Sequence, residues 1–279
     1  MKYEIEIDLH ESYNCFFSSL STVLKKHLQH GVDLALHTQW QFFFKPNMLA
    51  YNDDNRFVGE CPELFHDDIN RRILEILNIN IVIQKYENLK DLSDIKNSIL
   101  KNEASIVYAD KYYFEAAVGI HEPVHTVTAA ILVGFDSVNN TIKFINPNQY
   151  GDDSEAIIAW IDEQDLLSAR TSNPNDKDLQ GTMLDFSFIN RKNLNIDKKD
   201  IFKNAIKWLY KSSIDFLVGN KENDTLQGAF AIESFAYNIL KWLNYANDNS
   251  ENREILFKKI IGCSRYLIFV KNIMLIIFM

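Results

Sequence analysis

The segment NCFFSSLSTVLKKHLQ, residues 14 to 29, has the pattern that decides the fold. Apolar side chains recur along it at helical spacing: Phe16, Leu20, Val23, Leu24 and Leu28. Because Asn14 is a favourable N-cap residue, we expect a helix that begins at Cys15. Unpaired backbone N–H groups and the helix dipole favour an anion in the first turn, which is the environment of a nucleophile. The alternative is a small cysteine that packs under the helix.

Two strand patterns lie far downstream of this helix. VTAAILVGFD, residues 127 to 136, and TIKFINP, residues 141 to 147, are apolar runs separated by SVNN, which predicts a β-hairpin. Further strands are predicted over 3–7, 78–86 and from Ser105 onward, and further helices over 67–77, 89–101 and 156–169. The fold class is therefore α+β, with an antiparallel sheet, an N-terminal helix that carries Cys15, and a helical C-terminal part.

A polar stretch, TSNPNDKDLQG, is the best linker candidate in the chain. The sequence beyond it is mainly helical in pattern. We therefore expect two domains, a catalytic domain over residues 1–175 and a helical C-terminal domain over residues 176–279.

Charge and cysteine usage limit the partners and the compartment. With 29 basic and 38 acidic residues the formal charge is −9, which disfavours nucleic acid and anionic membranes as general partners. Three widely spaced cysteines form neither a disulfide framework nor a CxxC metal pattern, and the N-terminus does not resemble a signal peptide, so we expect a cytoplasmic protein. The apolar residues 266–279 are too few to span a bilayer, and their exposure would favour a homodimer.

The segment HEPVH, residues 121 to 125, matches the HExxH zinc motif in form. That motif needs both histidines on one helical face, and Pro123 would interrupt the helix. We favour a loop, with His125 just before the strand at 127 acting as general base and acid, and with His121 as the fallback. No metal and no cofactor are expected.

Asn146, at the end of the second hairpin strand, is the predicted third member of the site. Its amide could hold one imidazole nitrogen and set the tautomer, and Asp136 is the alternative for this role. The aromatic residues Tyr112, Tyr113 and Trp40 are candidate substrate-binding residues, although core packing is their ordinary role.

Several of these motifs together resemble the butirosin biosynthesis acyltransferase family, whose N-terminal part has a papain-like fold related to the C39-type peptidases. The matching features are NCFFSSLSTVL, IVYADKYYF, VHTVTAAILVGFD and IKFINP. The resemblance implies Cys15 as nucleophile, His125 as base and Asn146 as the orienting residue. One departure is that His125 precedes Gly134 by nine residues, where the family pattern has about six. A second departure is the absence of an upstream glutamine as oxyanion donor, a role left to His10 or the Cys15 N–H.

The implied reaction takes an acyl group from a carrier-protein thioester, through an acyl-Cys15 intermediate, to an amine in natural-product biosynthesis. Amide-forming enzymes of thiotemplated peptide pathways, such as that of closthioamide, follow this logic. An acyl or peptidyl carrier protein and an amine acceptor are the expected partners. Residues 191–211 are rich in lysine, including Lys199 and Lys203, and offer either a docking surface for an acidic carrier or a solvated helix face. A cysteine peptidase and a non-catalytic binding protein on the same fold are the alternatives.

Overall fold

The computed structural model describes residues 1–12, 15–28, 30–37, 43–44, 62–85, 89–123, 125–147, 155–172, 182–185, 197–222, 225–234 and 237. The helices are α1 (Cys15–His27), α2 (Val32–His37), α3 (Pro62–Leu77), α4 (Ser93–Leu100), α5 (Lys111–Ala117), α6 (Glu163–Thr171) and α7 (Lys198–Val218). The strands are β1 (Lys2–Glu4), β2 (Phe43–Phe44), β3 (Val82–Lys85), β4 (Ser105–Asp110), β5 (Val127–Asp136), β6 (Thr141–Asn146), β7 (Ile157–Asp162), β8 (Thr182–Asp185), β9 (Asn220–Glu222) and β10 (Thr225–Gln227).

The fold is mixed α+β and is built on a curled antiparallel sheet. The strand order is β3-β8-β4-β5-β6-β7, and β1 adds to β5. The predicted hairpin is confirmed as β5 and β6, joined by a turn over residues 137–140. β4 and most of β5 are buried, as expected for central strands with continuous apolar runs.

The long strand β5 organises the sheet. One edge pairs with β4 over residues 127–132 and with β1 over residues 134–136, while the other edge pairs with β6 only from Ile131 onward. A bulge between Leu132 and Gly134 re-aims the strand, and Gly134 allows the close approach of β1. A Cβ atom at Gly134 would lie 2.8 Å from the Tyr3 carbonyl oxygen.

Helix α1 begins at Cys15, as predicted; Asn14 lies outside the described residues. Residues 16–24 are all buried, including the serines on its polar positions. The preceding chain runs along the helix, because the Ser12 N–H donates to Ser18 Oγ at 2.7 Å and the His10 N–H donates to Thr22 Oγ1 at 2.9 Å. The backbone N–H of His10 is thus bonded to Thr22, two turns beyond Cys15.

The predicted helix over residues 156–169 is only half correct. Residues 157–162 form the edge strand β7, and the helix α6 begins at Glu163. Asp162 ends the strand and caps the helix, since its carboxylate accepts the Gln164 N–H at 2.8 Å. An edge strand with mostly half-buried residues has no clear alternation, so its sequence resembles a helix pattern.

The described chain divides into two compact units that differ from the predicted domains. The first comprises Met1–Leu36 and Ile73–Lys198, and the second His37–Arg72 and Lys199–Met279. A boundary at residue 175 would separate β8 from the sheet in which it lies between β3 and β4.

The second unit contains helix α7, as its helical pattern predicted. It also contains a three-stranded sheet in the order β2-β10-β9, so it is not purely helical. Among the described helices, none is long and apolar enough to cross a membrane. Residues 266–279, on which the homodimer expectation depends, lie outside the described part of the chain.

Candidate functional site

The thiol of Cys15 is held against β5 by a main-chain contact. The Ala129 N–H donates to Cys15 Sγ at 3.5 Å, and one turn along α1 Ser19 Oγ donates to the Ala129 carbonyl at 3.0 Å. Both groups of Ala129 lie where β6 no longer pairs with β5, so α1 replaces a neighbouring strand there. The thiol is half-buried and forms no disulfide.

His125 is held by Asp110, the last residue of β4. The imidazole Nδ1 lies 2.7 Å from Asp110 Oδ2. Because a carboxylate only accepts hydrogen bonds, Nδ1 is the protonated nitrogen, and Nε2 of the neutral ring is an acceptor. The Asp110 side chain is fully buried, whereas 59% of the His125 side chain is exposed. This arrangement presents an oriented, accessible base.

Asp110 has two further hydrogen-bond donors. Ser172 Oγ donates to Oδ2 at 2.7 Å, and the Tyr112 N–H donates to Oδ1 at 3.1 Å, so the carboxylate also caps helix α5. These contacts fix the carboxylate in the orientation that receives the imidazole.

The tyrosines of α5 form one wall of the histidine site. The Tyr112 ring is stacked on the His125 ring, with centroids 4.2 Å apart and planes 5° apart, and Tyr113 meets Tyr112 edge-on. Tyr112 therefore holds one face of the imidazole and limits its rotation. Trp40, the third predicted substrate-binding residue, lies outside the described residues.

Asn146 has a partner different from the predicted one. Its side-chain oxygen accepts a hydrogen bond from Thr128 Oγ1 at 2.9 Å, and both residues are buried. Asp110, not Asn146, orients His125. Thr128 precedes Gly134 by six residues, close to the spacing of about six that the resemblance implies for the histidine.

The alternative orienting residue, Asp136, lies at the far end of β5. Nine residues separate it from Val127, a strand length of about 30 Å, so it cannot reach His125. Its carboxylate instead accepts the Val138 N–H and the Asn139 side-chain amide. The Val138 N–H holds the pKa of Asp136 below its ordinary value, and the Asn139 amide adds to this effect.

The zinc motif has no structural basis in the HEPVH segment. Residues 121–123 are not helical, and Glu122 has a φ of 59°, in the left-handed region. His121, the fallback base, is 92% exposed beside Glu122. Within the described residues, no group of three or more metal-binding side chains is found.

Each predicted catalytic residue belongs to, or contacts, the segment at the beginning of β5, but these contacts do not join the residues directly to one another. His125, Thr128 and Ala129 provide these contacts within five consecutive residues, which span at most about 14 Å. Among the described residues, no hydrogen bond links Cys15, His125 and Asn146 to one another. The site therefore consists of a held thiol and an Asp–His pair at the same end of one strand.

Sequence reasoning assigned no role to Asp110, Ser172 or Thr128. For Asp110 a signal was present, because a buried aspartate ends the apolar run SIVYAD directly before the tyrosine pair. Ser172 lies in the polar stretch that the sequence predicts to be a linker, where no pattern distinguishes it. The spacing from Gly134 was the signal for Thr128.

No model of a known protein family matches the chain, and no curated protein matches it significantly.

Proposed function

We propose that the protein is a cysteine-dependent acyltransferase that forms amides, with a papain-like arrangement of its first unit. The observation that carries the proposal is the pairing of two features at one end of β5. Ala129 holds the Cys15 thiol at the first turn of α1, and Asp110 orients the His125 imidazole with Nε2 accessible. A thiol at a helix N-terminus and an oriented base at the same end of one strand are the parts that nucleophilic catalysis requires.

The proposed reaction has two halves. His125 Nε2 takes the Cys15 proton, and Sγ attacks the thioester carbonyl of a carrier protein, which releases the pantetheine thiol after it receives the proton. The acyl group is then a thioester on Cys15. An amine attacks this thioester, gives its proton to His125, and leaves as an amide while the Cys15 thiol re-forms. Asp110 stabilises the imidazolium that forms in each half.

The direct test is the formation and discharge of an acyl-enzyme. The wild-type chain is incubated with an acyl N-acetylcysteamine thioester, and intact-protein and peptide mass spectrometry locate the adduct. We expect one acyl group on Cys15, no adduct in Cys15→Ala, and loss of the adduct on addition of a primary amine with appearance of the amide. An adduct elsewhere on the chain would contradict the proposal.

The same assay separates transfer from hydrolysis. If water discharges acyl-Cys15 as fast as millimolar amine does, or if the chain cleaves added peptides with Cys15 as the nucleophile, the chain is a peptidase. The two activities share the acyl-enzyme, so only the second half distinguishes them.

One observation favours a second candidate, a binding protein that keeps the fold without the chemistry. Thr128 stands at about the spacing from Gly134 that the resemblance implies for the histidine, and it hydrogen-bonds Asn146 at 2.9 Å. A hydroxyl at this position cannot take the thiol proton at neutral pH. In that case Cys15 reacts with iodoacetamide at the same rate in the wild type and in His125→Ala, whereas the acyltransferase proposal expects slower alkylation in the variant.

A further inference from the structure

Helix α7 carries an apolar stripe on the side that faces solvent. Its buried side consists of Ile201, Ala205, Trp208 and Ser212. On the other side, five large apolar residues recur about one turn apart, and between 42% and 71% of each is exposed: Phe202, Ile206, Tyr210, Ile214 and Leu217. We call these five residues the α7 stripe. Single exposed apolar residues are ordinary, but a continuous row of five along one helix is typical of an interaction surface.

Lysines border the α7 stripe along one side. Lys203 and Lys207 are exposed and lie four residues apart, so they form a lysine row beside the stripe, whereas the Lys211 ammonium lies 5.4 Å from the centre of the Trp208 ring on the buried side. The helix has five lysines and two aspartates, a formal charge of 5 − 2 = +3. The whole chain has a charge of −9, so α7 is a basic element of an acidic protein.

We propose that the α7 stripe is the docking surface for an acidic protein partner, one that presents an apolar helix face bordered by carboxylates. The apolar residues would be buried against the partner's apolar face, and the lysine row would meet its carboxylates. A second copy of this chain is a poorer occupant, because pairing two α7 helices brings two basic elements together. The inference goes beyond the chemistry at Cys15 and stands without it, although a carrier protein of the proposed reaction would have this chemistry.

The test measures binding of a designed peptide to the full-length chain. The probe is a fluorescent 18-residue helical peptide with leucines on one face and glutamates on both borders, and the matched probe has lysines in place of the glutamates. We expect fluorescence anisotropy to detect binding of the acidic peptide alone. The double substitution Lys203→Glu with Lys207→Glu should weaken it at least about tenfold. Lys90→Glu with Lys101→Glu, a matched reversal on the first unit, should change it less than about twofold.

A second pair of variants tests the apolar part of the surface. Ile206→Ser with Tyr210→Ser should also weaken binding about tenfold, because both side chains are exposed and make the apolar contact. Circular dichroism checks that α7 is still helical in each variant.

Three outcomes would overturn the proposal. The first is equal binding, or no binding, of the two peptides. The second is a dimer in sedimentation that Ile206→Ser dissociates, which would assign the stripe to a second copy. The third outcome comes from a photo-cross-linking residue placed at position 210. The proposal fails if this residue, in the monomer and with the acidic peptide present, cross-links only to the chain itself.

Discussion

At Asp110 one buried carboxylate receives three donors, and only one of them is the histidine. The backbone of Tyr112 and the hydroxyl of Ser172 occupy lone pairs that water would otherwise need to satisfy, so burial of this charge is compensated by hydrogen bonds. The same bonds set the direction of the remaining acceptor site. The Asp110–His125 distance of 2.7 Å thus depends on the two other hydrogen bonds that hold the carboxylate.

Replacement of Asp110 by asparagine tests its role as the orienting residue. The amide can still accept the Tyr112 N–H, but an amide nitrogen facing the imidazole would favour the tautomer that carries its proton on Nε2. We expect Asp110→Asn to slow acylation of Cys15 by about a hundredfold or more, measured by mass spectrometry at fixed thioester concentration.

Ser172→Ala is the matched control for this substitution. It removes one hydrogen bond from the same carboxylate and leaves the imidazole bond in place, so we expect less than about a threefold change. If both variants acylate at the wild-type rate, Asp110 is not the residue that orients the base.

At the scale of elements, β5 shows what sequence pattern can and cannot predict. The start of α1 at Cys15 and the β5–β6 hairpin were predicted because helical spacing and two apolar runs around a turn are local signals. The sequence did not predict the partner of His125, because the register that places Asp110 opposite Val127 is set by the pairing of β4 with β5. The Thr128–Asn146 hydrogen bond likewise depends on the pairing of two strands. For this reason His125 and Asn146, which were predicted to contact each other, have different partners.

Gly134 permits the docking of β1, and Gly134→Ala tests this. The added Cβ would lie 2.8 Å from the Tyr3 carbonyl and 3.1 Å from Lys143 Cβ, which forces β1 to move. We expect the free energy of unfolding to fall by about 1–3 kcal/mol. We also expect faster hydrogen exchange at the Ile5 N–H, which bonds the Val133 carbonyl at 2.7 Å.

Gly119→Ala separates steric displacement from backbone strain. Gly119 has a φ of +74° but open space around a Cβ atom, so its substitution costs only the strain of the left-handed conformation. Unchanged exchange at Ile5 in Gly119→Ala is expected. Equal release of Ile5 in both variants would mean that general destabilisation, and not the contact with β1, explains the effect.

The turn after β5 should contribute an acid-sensitive part of the stability. Since the Val138 N–H lowers the pKa of folded Asp136, the ionised carboxylate stabilises the fold above the unfolded pKa of about 3.9, and this contribution is lost as the pH falls through the lower folded pKa. We expect the stability difference between wild type and Asp136→Asn to shrink as urea unfolding is repeated from pH 5 down to pH 2.5. Glu6→Gln, which removes another exposed carboxylate, is the control, and a difference that persists at pH 2.5 would contradict the assignment.

At the scale of the whole molecule, each compact unit is assembled from two separate stretches of the chain. The predicted division at residue 175 relied on a polar segment and a change in pattern, and such signals detect a loop but not which elements pair across it. β8 is only four residues long, and the mainly helical pattern around it did not predict a strand between β3 and β4. Pairing over long sequence separation has no local signature.

Truncation tests the importance of β8. A chain ending at residue 175 lacks the strand that joins β3 to β4, whereas a chain ending at Lys198 contains all of the first unit. We expect a cooperative thermal transition for residues 1–198 and none for residues 1–175, measured by circular dichroism. If both truncated chains show the same thermal transition, β8 is dispensable for the sheet.

The contact of α1 with Ala129 uses only main-chain atoms on the strand side. Because the anchor is a main-chain N–H, the position of the sulfur does not depend on the side chain at position 129 or on its neighbours along the strand. The side chains near it, among them the Thr128 hydroxyl and the His125 imidazole three residues earlier, can therefore be exchanged without relocating the sulfur. Main-chain atoms position the sulfur, and side chains at the beginning of β5 determine its reactivity. Substitutions there can therefore add or remove reactivity without moving the thiol.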